Sequence, residues 1–327
     1  MKIAVLNECF LSDNHITYLK SIGDVEIFND TTDETTAITR MAGKDIVLGD
    51  MFECPLNEKV LSNCPSVKLL CINSTGYDLV HLPTAIQNKT QVTNVPGFST
   101  EAVAEHSFGL LLAVNRHIVS SNLGSDQIRS DQIRSAQLKP FQINPADKSH
   151  YQYLGSNLCC KTMGIIGLGT IGSHTAKIAN GFGMKIIAYN RSPKNVENVE
   201  MVSLDELFSR SDVVSLHTPF NDQSKAIINT ESLQKMKPNC ILINTARGGC
   251  VVSKDLADAL KNKKIAGAGL DVLDSWDANN PLLNLPNVVI TPHSAWFTEE
   301  ALKNIADTMI SNVQSFVNGD TINVVSG

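Results

Sequence analysis

Short apolar runs recur along the chain at fairly even intervals. In the first hundred residues, strand-length stretches built around such positions fall at 3–6, 25–28, 45–48, 68–72 and 91–95. Continuous apolar runs of strand length predict strands covered on both faces. A second series occupies 163–166, 185–189, 213–217, 240–244, 267–272 and 288–291. Stretches with helical character separate the runs, most clearly 100–116, 173–182 and 298–317. Strands alternating with helices predict an α/β chain with two parallel, doubly wound sheets.

One segment breaks the alternation. Residues 118–160 are polar and hold a tandem repeat, Ser125–Asp126–Gln127–Ile128–Arg129 followed by Ser130–Asp131–Gln132–Ile133–Arg134. Irregular stretches this long are uncommon inside domains and often functional. Two readings fit it: a solvated helix with a loop, or an arm reaching a second subunit.

A length of 327 residues suits two domains better than one. With 43% hydrophobic and 18% charged residues, each half can build a core. The net charge of -6 leaves no basic surplus for a phosphate backbone, so nucleic acid is not expected as a partner. No apolar stretch approaches bilayer-spanning length, so no membrane is expected either. The first apolar run ends at Asn7–Glu8, too soon for a signal-peptide core. Eight cysteines include no C-x-x-C pair, and Cys71 and Cys240 sit in apolar runs. That pattern points to a reducing, cytoplasmic setting and away from zinc or a disulfide scaffold.

The run at 163–166 leads into Gly167–Leu168–Gly169–Thr170–Ile171–Gly172 and then a helix. G-x-G-x-x-G between a strand and a helix is the setting of a dinucleotide site. Gly167 permits the tight turn, Gly169 lets backbone N–H groups approach the pyrophosphate, and Gly172 lets helix pack on strand. The next strand ends in Asn190–Arg191–Ser192. An acidic residue there would bind the ribose hydroxyls of NAD. Without it, Arg191 can pair with a 2′-phosphate and Ser192 can donate to it, which favours NADP(H) over NAD. The other reading leaves Arg191 on the surface, with NAD bound through Asn190.

Further along, three segments lie at the ends of expected strands, where ligands bind in doubly wound sheets. Arg247, followed by two glycines, can hold a carboxylate in a fork. Asp271 lies at the end of the next strand, and His293 just after the one beyond it. A histidine near neutral pKa is the usual proton donor to a carbonyl.

With these motifs together, the chain resembles the D-isomer-specific 2-hydroxyacid dehydrogenase family. The resemblance runs through Ser74–Thr75–Gly76–Tyr77–Asp78, Asn94–Val95–Pro96–Gly97–Phe98–Ser99–Thr100, the glycine turn, Leu216–His217–Thr218–Pro219, Asn244–Thr245–Ala246–Arg247, Gly269–Leu270–Asp271–Val272 and Thr291–Pro292–His293–Ser294–Ala295–Trp296. Several of these segments look most like the hydroxypyruvate and glyoxylate reductases, also called glycerate dehydrogenases. The resemblance implies a Rossmann cofactor domain, residues 101–294, inserted into a smaller flavodoxin-like substrate domain, residues 1–100 and 295–327. It implies hydride transfer from a nicotinamide cofactor to a small 2-keto acid, glyoxylate or hydroxypyruvate, giving the D-2-hydroxy acid.

Roles follow from the same resemblance. Arg247 would bind the substrate carboxylate and polarise the keto group. Backbone N–H groups of Ser74, Thr75 and Gly76 would bind that carboxylate too. His293 would protonate the carbonyl oxygen. Asp271 would meet the nicotinamide amide. Thr100, Thr170, Ile171, His217, Thr218, Pro219, Thr245 and Ala246 would line the cofactor. Residues 118–160 overlap the family's dimerisation region, which implies a homodimer. At one point the chain departs from the family pattern: where a glutamate pairs with the catalytic histidine, this chain has Trp276. Asp277 is the nearest substitute and Asp274 the next. Two other functions stay open at this stage, 3-phosphoglycerate dehydrogenase and a non-catalytic dinucleotide sensor, the latter suggested by Trp276.

Overall fold

The apolar runs become strands, and every named strand pairs in parallel with its neighbours. A computed structural model describes residues 1–7, 9–50, 52–121, 154–192 and 194–326. The tandem repeat at 125–134 and most of the 118–160 segment lie outside the described residues. The chain divides into two units, Met1–Ser99 with Phe297–Gly327, and Thr100–Trp296.

In the first unit the strands are β1 (Lys2–Leu6), β2 (Asp24–Phe28), β3 (Ile46–Gly49), β4 (Leu69–Ile72) and β5 (Gln91–Thr93), in the order β2-β1-β3-β4-β5. Strands β3 and β4 are buried along their whole length, as continuous apolar runs require when both faces are covered. Strand β2 lies at an edge, and its residues are only half-buried or exposed. The C-terminal helix, Glu299–Val317, belongs to this unit and starts at the Thr298 cap. Its buried Asn312 donates to the Asn94 carbonyl at 2.9 Å and accepts from Asn323 at 2.8 Å. A buried amide tied at both ends fixes where the helix returns.

The second unit adds β6 (Thr162–Ile166), β7 (Lys185–Tyr189), β8 (Val199–Met201), β9 (Val213–Leu216), β10 (Ile241–Asn244), β11 (Gly267–Leu270) and β12 (Val288–Ile290). Their order is β12-β11-β10-β9-β6-β7-β8. The chain reverses direction across the sheet between β6 and β9, and such a switch point opens a crevice at the strand ends. Both units therefore have the doubly wound parallel sheet that the sequence pattern predicts. Strand β8 was not expected. It is three residues long, polar at its centre and at the sheet edge, so it carries no apolar run to reveal it. No helix among the described residues is long and apolar enough to cross a membrane.

Candidate active site

The glycine turn sits at the switch point, between β6 and the helix Thr170–Gly181. Gly167 has φ of +94°, and a Cβ there would lie 2.6 Å from the His217 carbonyl oxygen. A Cβ at Gly172 would collide with the Gly167 carbonyl. These two positions admit only glycine, because two backbone segments pass too close for a side chain. Gly169 differs: a Cβ there would meet nothing within 4 Å. The backbone is thus open to solvent at the start of a three-turn helix, where free N–H groups favour an anion. The glycine turn fits a dinucleotide pyrophosphate on these grounds.

Beside it, Asn190 uses both ends of its side chain inside the protein. Its Oδ1 accepts the Leu168 N–H at 3.0 Å, and its Nδ2 donates to the Ser192 carbonyl at 2.7 Å. Arg191 and Ser192 are exposed. Across the switch point, the His217 Nε2 meets Ser215 Oγ at 2.8 Å, while its Nδ1 is buried without a partner among the described residues. Burial lowers the His217 pKa from 6.5 to about 4, so the ring is neutral. Thr218 is half-buried and Pro219 exposed. Thr245, at the end of β10, shares a 2.9 Å hydrogen bond with Ser107 on the helix Thr100–Asn115.

Arg247 and His293 follow β10 and β12, with β11 between them. Parallel neighbours lie about 4.8 Å apart, so two steps place these chain segments roughly 10 Å apart. Buried Asn244 holds the Arg247 turn: it accepts the Ala246 N–H at 3.0 Å and donates to the Arg247 carbonyl at 3.0 Å. A Cβ at Gly248 would collide with the Leu273 carbonyl, so this turn packs directly on the loop after β11.

Asp271 organises that loop and the next one. Its N–H donates to the Asn244 carbonyl at 2.9 Å. Its fully buried carboxylate accepts the Thr291 hydroxyl at 2.5 Å, the Ser294 N–H at 2.9 Å and the Ala295 N–H at 3.0 Å. Its carbonyl accepts the His293 N–H at 2.9 Å. His293 itself has φ of +55°, a conformation L residues seldom adopt unless the surroundings impose it. Thr291 gives its only hydroxyl proton to Asp271, so the His106 Nε2 at 3.0 Å is the donor to Thr291.

In the first unit, Ser74, Thr75 and Gly76 follow β4. The Ser74 hydroxyl donates to the Gly76 carbonyl and the Thr75 hydroxyl to the Val95 carbonyl, each at 2.7 Å. Asn94 donates to the Thr75 carbonyl at 2.7 Å. Among the described residues, the N–H groups of Ser74, Thr75 and Gly76 donate to no protein acceptor. Three backbone donors in sequence can serve an anion.

Residues 108–295 match the family model described as "D-isomer specific 2-hydroxyacid dehydrogenase, NAD binding domain". The chain belongs to that family. Over its full length it is 35% identical to the hydroxypyruvate reductase of Blautia hydrogenotrophica, across 336 aligned residues covering 100% of both proteins. It is 34% identical over 316 residues to the glyoxylate reductase of Thermococcus litoralis, covering 95% of this chain and 92% of that one. Among solved structures, an acyclic imino acid reductase (Bsp5) in complex with NADPH and D-Arg matches with a TM-score of 0.88 and 35% identity, covering 99% of this chain and 100% of that one. The chain is thus a nicotinamide-dependent oxidoreductase of this family.

In this dehydrogenase the two acids expected near the histidine have partners in their own loop. The Asp277 carboxylate accepts the Asn279 N–H at 2.7 Å, an ordinary turn contact. Asp274 accepts from the Ser253 hydroxyl and, at 3.1 Å, from the Ser253 N–H at the start of a helix. Trp276 is 55% exposed, so the indole does not occupy a buried acid's place. Sequence reasoning missed Asn244, Thr291 and His106. Thr291 and Asn244 stand in motifs quoted for their neighbours, and that adjacency was the available signal.

Proposed function

We propose that this dehydrogenase reduces glyoxylate or hydroxypyruvate to the D-2-hydroxy acid with NADPH. The observation that carries the reading is the pair Arg247 and His293, each held by a buried polar side chain, at the ends of two strands separated only by β11. A 2-keto acid needs a cation for its carboxylate and a proton for its carbonyl oxygen, and this arrangement offers both. The guanidinium of Arg247 binds the carboxylate and polarises the carbonyl. The N–H groups of Ser74, Thr75 and Gly76 are further donors assigned to substrate carboxylate. His293 gives the proton to the developing alkoxide. Bound reduced nicotinamide supplies the hydride. Asp271 is assigned to the nicotinamide amide as well as to the loop, and Thr100, His217, Thr218, Pro219, Thr245 and Ala246 to the cofactor's surroundings. Asp277, expected as the acid beside His293, is not assigned that role.

The NADPH preference rests on Asn190. With both ends of its side chain committed to Leu168 and Ser192, it brings no carboxylate to repel a 2′-phosphate. Arg191, exposed at the next position, is the expected partner. The eight free cysteines support a reducing, cytoplasmic setting. The overlap of residues 118–160 with the family's dimerisation region supports a homodimer.

The test is oxidation of NADPH and NADH against glyoxylate, hydroxypyruvate, pyruvate and phosphohydroxypyruvate. A fifth arm, a 2-imino acid, is prompted by the likeness to the imino acid reductase. Turnover with NADPH and the two small keto acids supports the reading, and preference for phosphohydroxypyruvate or the imine replaces it. Arg191→Ala should weaken NADPH about 10-fold or more, by loss of a charge-assisted contact, and leave NADH nearly unchanged. Equal loss for both cofactors would remove the 2′-phosphate assignment.

A further inference from the structure

Two thiols meet on the surface of the second unit, apart from the site described above. Cys159 and Cys160 are exposed, and their Sγ atoms lie 3.6 Å apart. Successive side chains of an extended segment point to opposite faces. Cys160 departs from that pattern with φ of +64°, and both sulfurs come to one side. The turn is fixed at its base: the Cys160 N–H donates to the Gly183 carbonyl at 2.9 Å, and the Lys161 N–H to the Leu158 carbonyl at 3.0 Å.

We propose that Cys159 and Cys160 form a chelating dithiol site for a monosubstituted trivalent arsenical. The sulfur spacing decides the geometry of the guest. A centre bonded to each sulfur at about 2.3 Å, the length of a zinc–thiolate bond, spans 3.6 Å with a bite of about 103°. That suits a pyramidal or tetrahedral centre. A linear two-coordinate centre with bonds of about 2.3 Å would need its sulfurs about 4.6 Å apart. The donor count decides further. Among the described residues no group of three or more His, Cys, Asp or Glu could hold a metal ion, so a site here has two protein donors. An organoarsenical needs only two, because its third bond is to carbon.

Disulfide closure is the poorer outcome for this pair. Adjacent Cα atoms sit about 3.8 Å apart across a trans peptide. Ordinary disulfides need roughly 4.4–6.8 Å. The six remaining cysteines are buried and offer little competition. Burial pushes the thiols of Cys54 and Cys240 up to about 12, and those of Cys64 and Cys71 up to about 11.

The chemistry is a double condensation without redox change. Each thiol displaces one hydroxyl from R–As(OH)2. Two S–H and two As–O bonds break, two As–S bonds form, and two waters leave with the protons. Arsenic stays trivalent throughout.

The full chain would be incubated with phenylarsine oxide and its intact mass measured. One phenylarsenic adduct per chain is expected. It should be displaced by 2,3-dimercaptopropanol and not by an equal concentration of a monothiol. In the native protein the adduct should block alkylation of both Cys159 and Cys160. Cys159→Ser or Cys160→Ser leaves a one-point attachment and should weaken binding about 100-fold or more. Both positions are exposed and serine is close in size, so an unchanged melting curve would confirm that the variants fold. Unchanged affinity in either variant, or no adduct on the native chain, would overturn the proposal. Keto-acid turnover does not enter this readout.

Discussion

Two turns at the strand ends of the second unit are shaped by opposite means. The glycine turn after β6 is held by missing side chains: Gly167 and Gly172 let backbone segments approach until no Cβ fits. The His293 loop after β12 is held by one side chain that is present. The Asp271 carboxylate takes three donors from it, and the Asp271 carbonyl takes a fourth. A steric turn fails where the atom is added. A polar turn fails at every donor at once, because a single acceptor serves them all. The second unit therefore keeps its glycine turn and its His293 loop under separate structural controls, and substitutions should separate them.

Asp271→Ala should have the largest effect. It leaves the Thr291 hydroxyl and two loop N–H groups without an acceptor in a buried place. An unsatisfied buried group costs about 1–3 kcal/mol, so a total loss of about 3–5 kcal/mol is expected in urea unfolding. Freed from its left-handed conformation, His293 would be misplaced, and a shift of about 1 Å can cost about 100-fold in turnover. Asp271→Asn keeps one carbonyl acceptor and should fall between the two. If Asp271→Ala unfolds at the native urea concentration, the backbone alone holds the loop and the contrast with the glycine turn collapses.

Gly172→Ala comes next. The added methyl collides with the Gly167 carbonyl, a backbone atom that can move only with the turn. Overpacking costs about 1–3 kcal/mol. NADPH affinity, read by fluorescence titration, should drop about 10-fold or more, since the turn would open where the pyrophosphate is expected. Turnover at saturating cofactor should fall far less. Equal damage to turnover would mean that the two turns are coupled.

The same contrast governs what is legible in the sequence. Gly167, Gly169 and Gly172 advertise themselves because their function is an absence at fixed spacing, and spacing is visible in a sequence. Asn190 could be noticed as a missing acid, but not that its amide bridges Leu168 and Ser192. Arg247 and His293 could be placed at strand ends because the apolar runs locate those ends. Thr291 and His106 could not, because each works through a partner that only the fold brings near: His106 and Thr291 are 185 positions apart. Asp277 marks the limit of such reasoning. Proximity in sequence suggests it as the substitute for the missing glutamate, while the contact it makes with the Asn279 N–H is not legible in the sequence.

The glycine-turn side of the comparison has its own pH signature. His217 is neutral in the fold, with a pKa near 4 against an ordinary 6.5. The unfolded chain takes up its proton first as pH falls. This histidine therefore costs no stability above about pH 6.5, and destabilises progressively from there down to about pH 4, by up to about 3 kcal/mol. His217→Gln should flatten that part of the stability curve. An unaltered slope would show that other groups set the acid limb.

Asp277→Asn should have the smallest effect, and it decides how the histidine loop was built. The substitution keeps the Oδ1 that accepts the Asn279 N–H. Surface changes of this kind shift stability by less than about 0.5 kcal/mol. If the loop retains this geometry during turnover, kcat, KM and the alkaline limb of the pH–rate profile for keto-acid reduction should all match the parent. The contrary result is equally specific. A kcat reduced about 10-fold or more, with the limb that reports the imidazolium shifted to lower pH, would mean the carboxylate swings onto His293 when substrate binds. The positional expectation for Asp277 would then hold, and the loop after β11 would be shaped by ligand rather than by Asp271 alone.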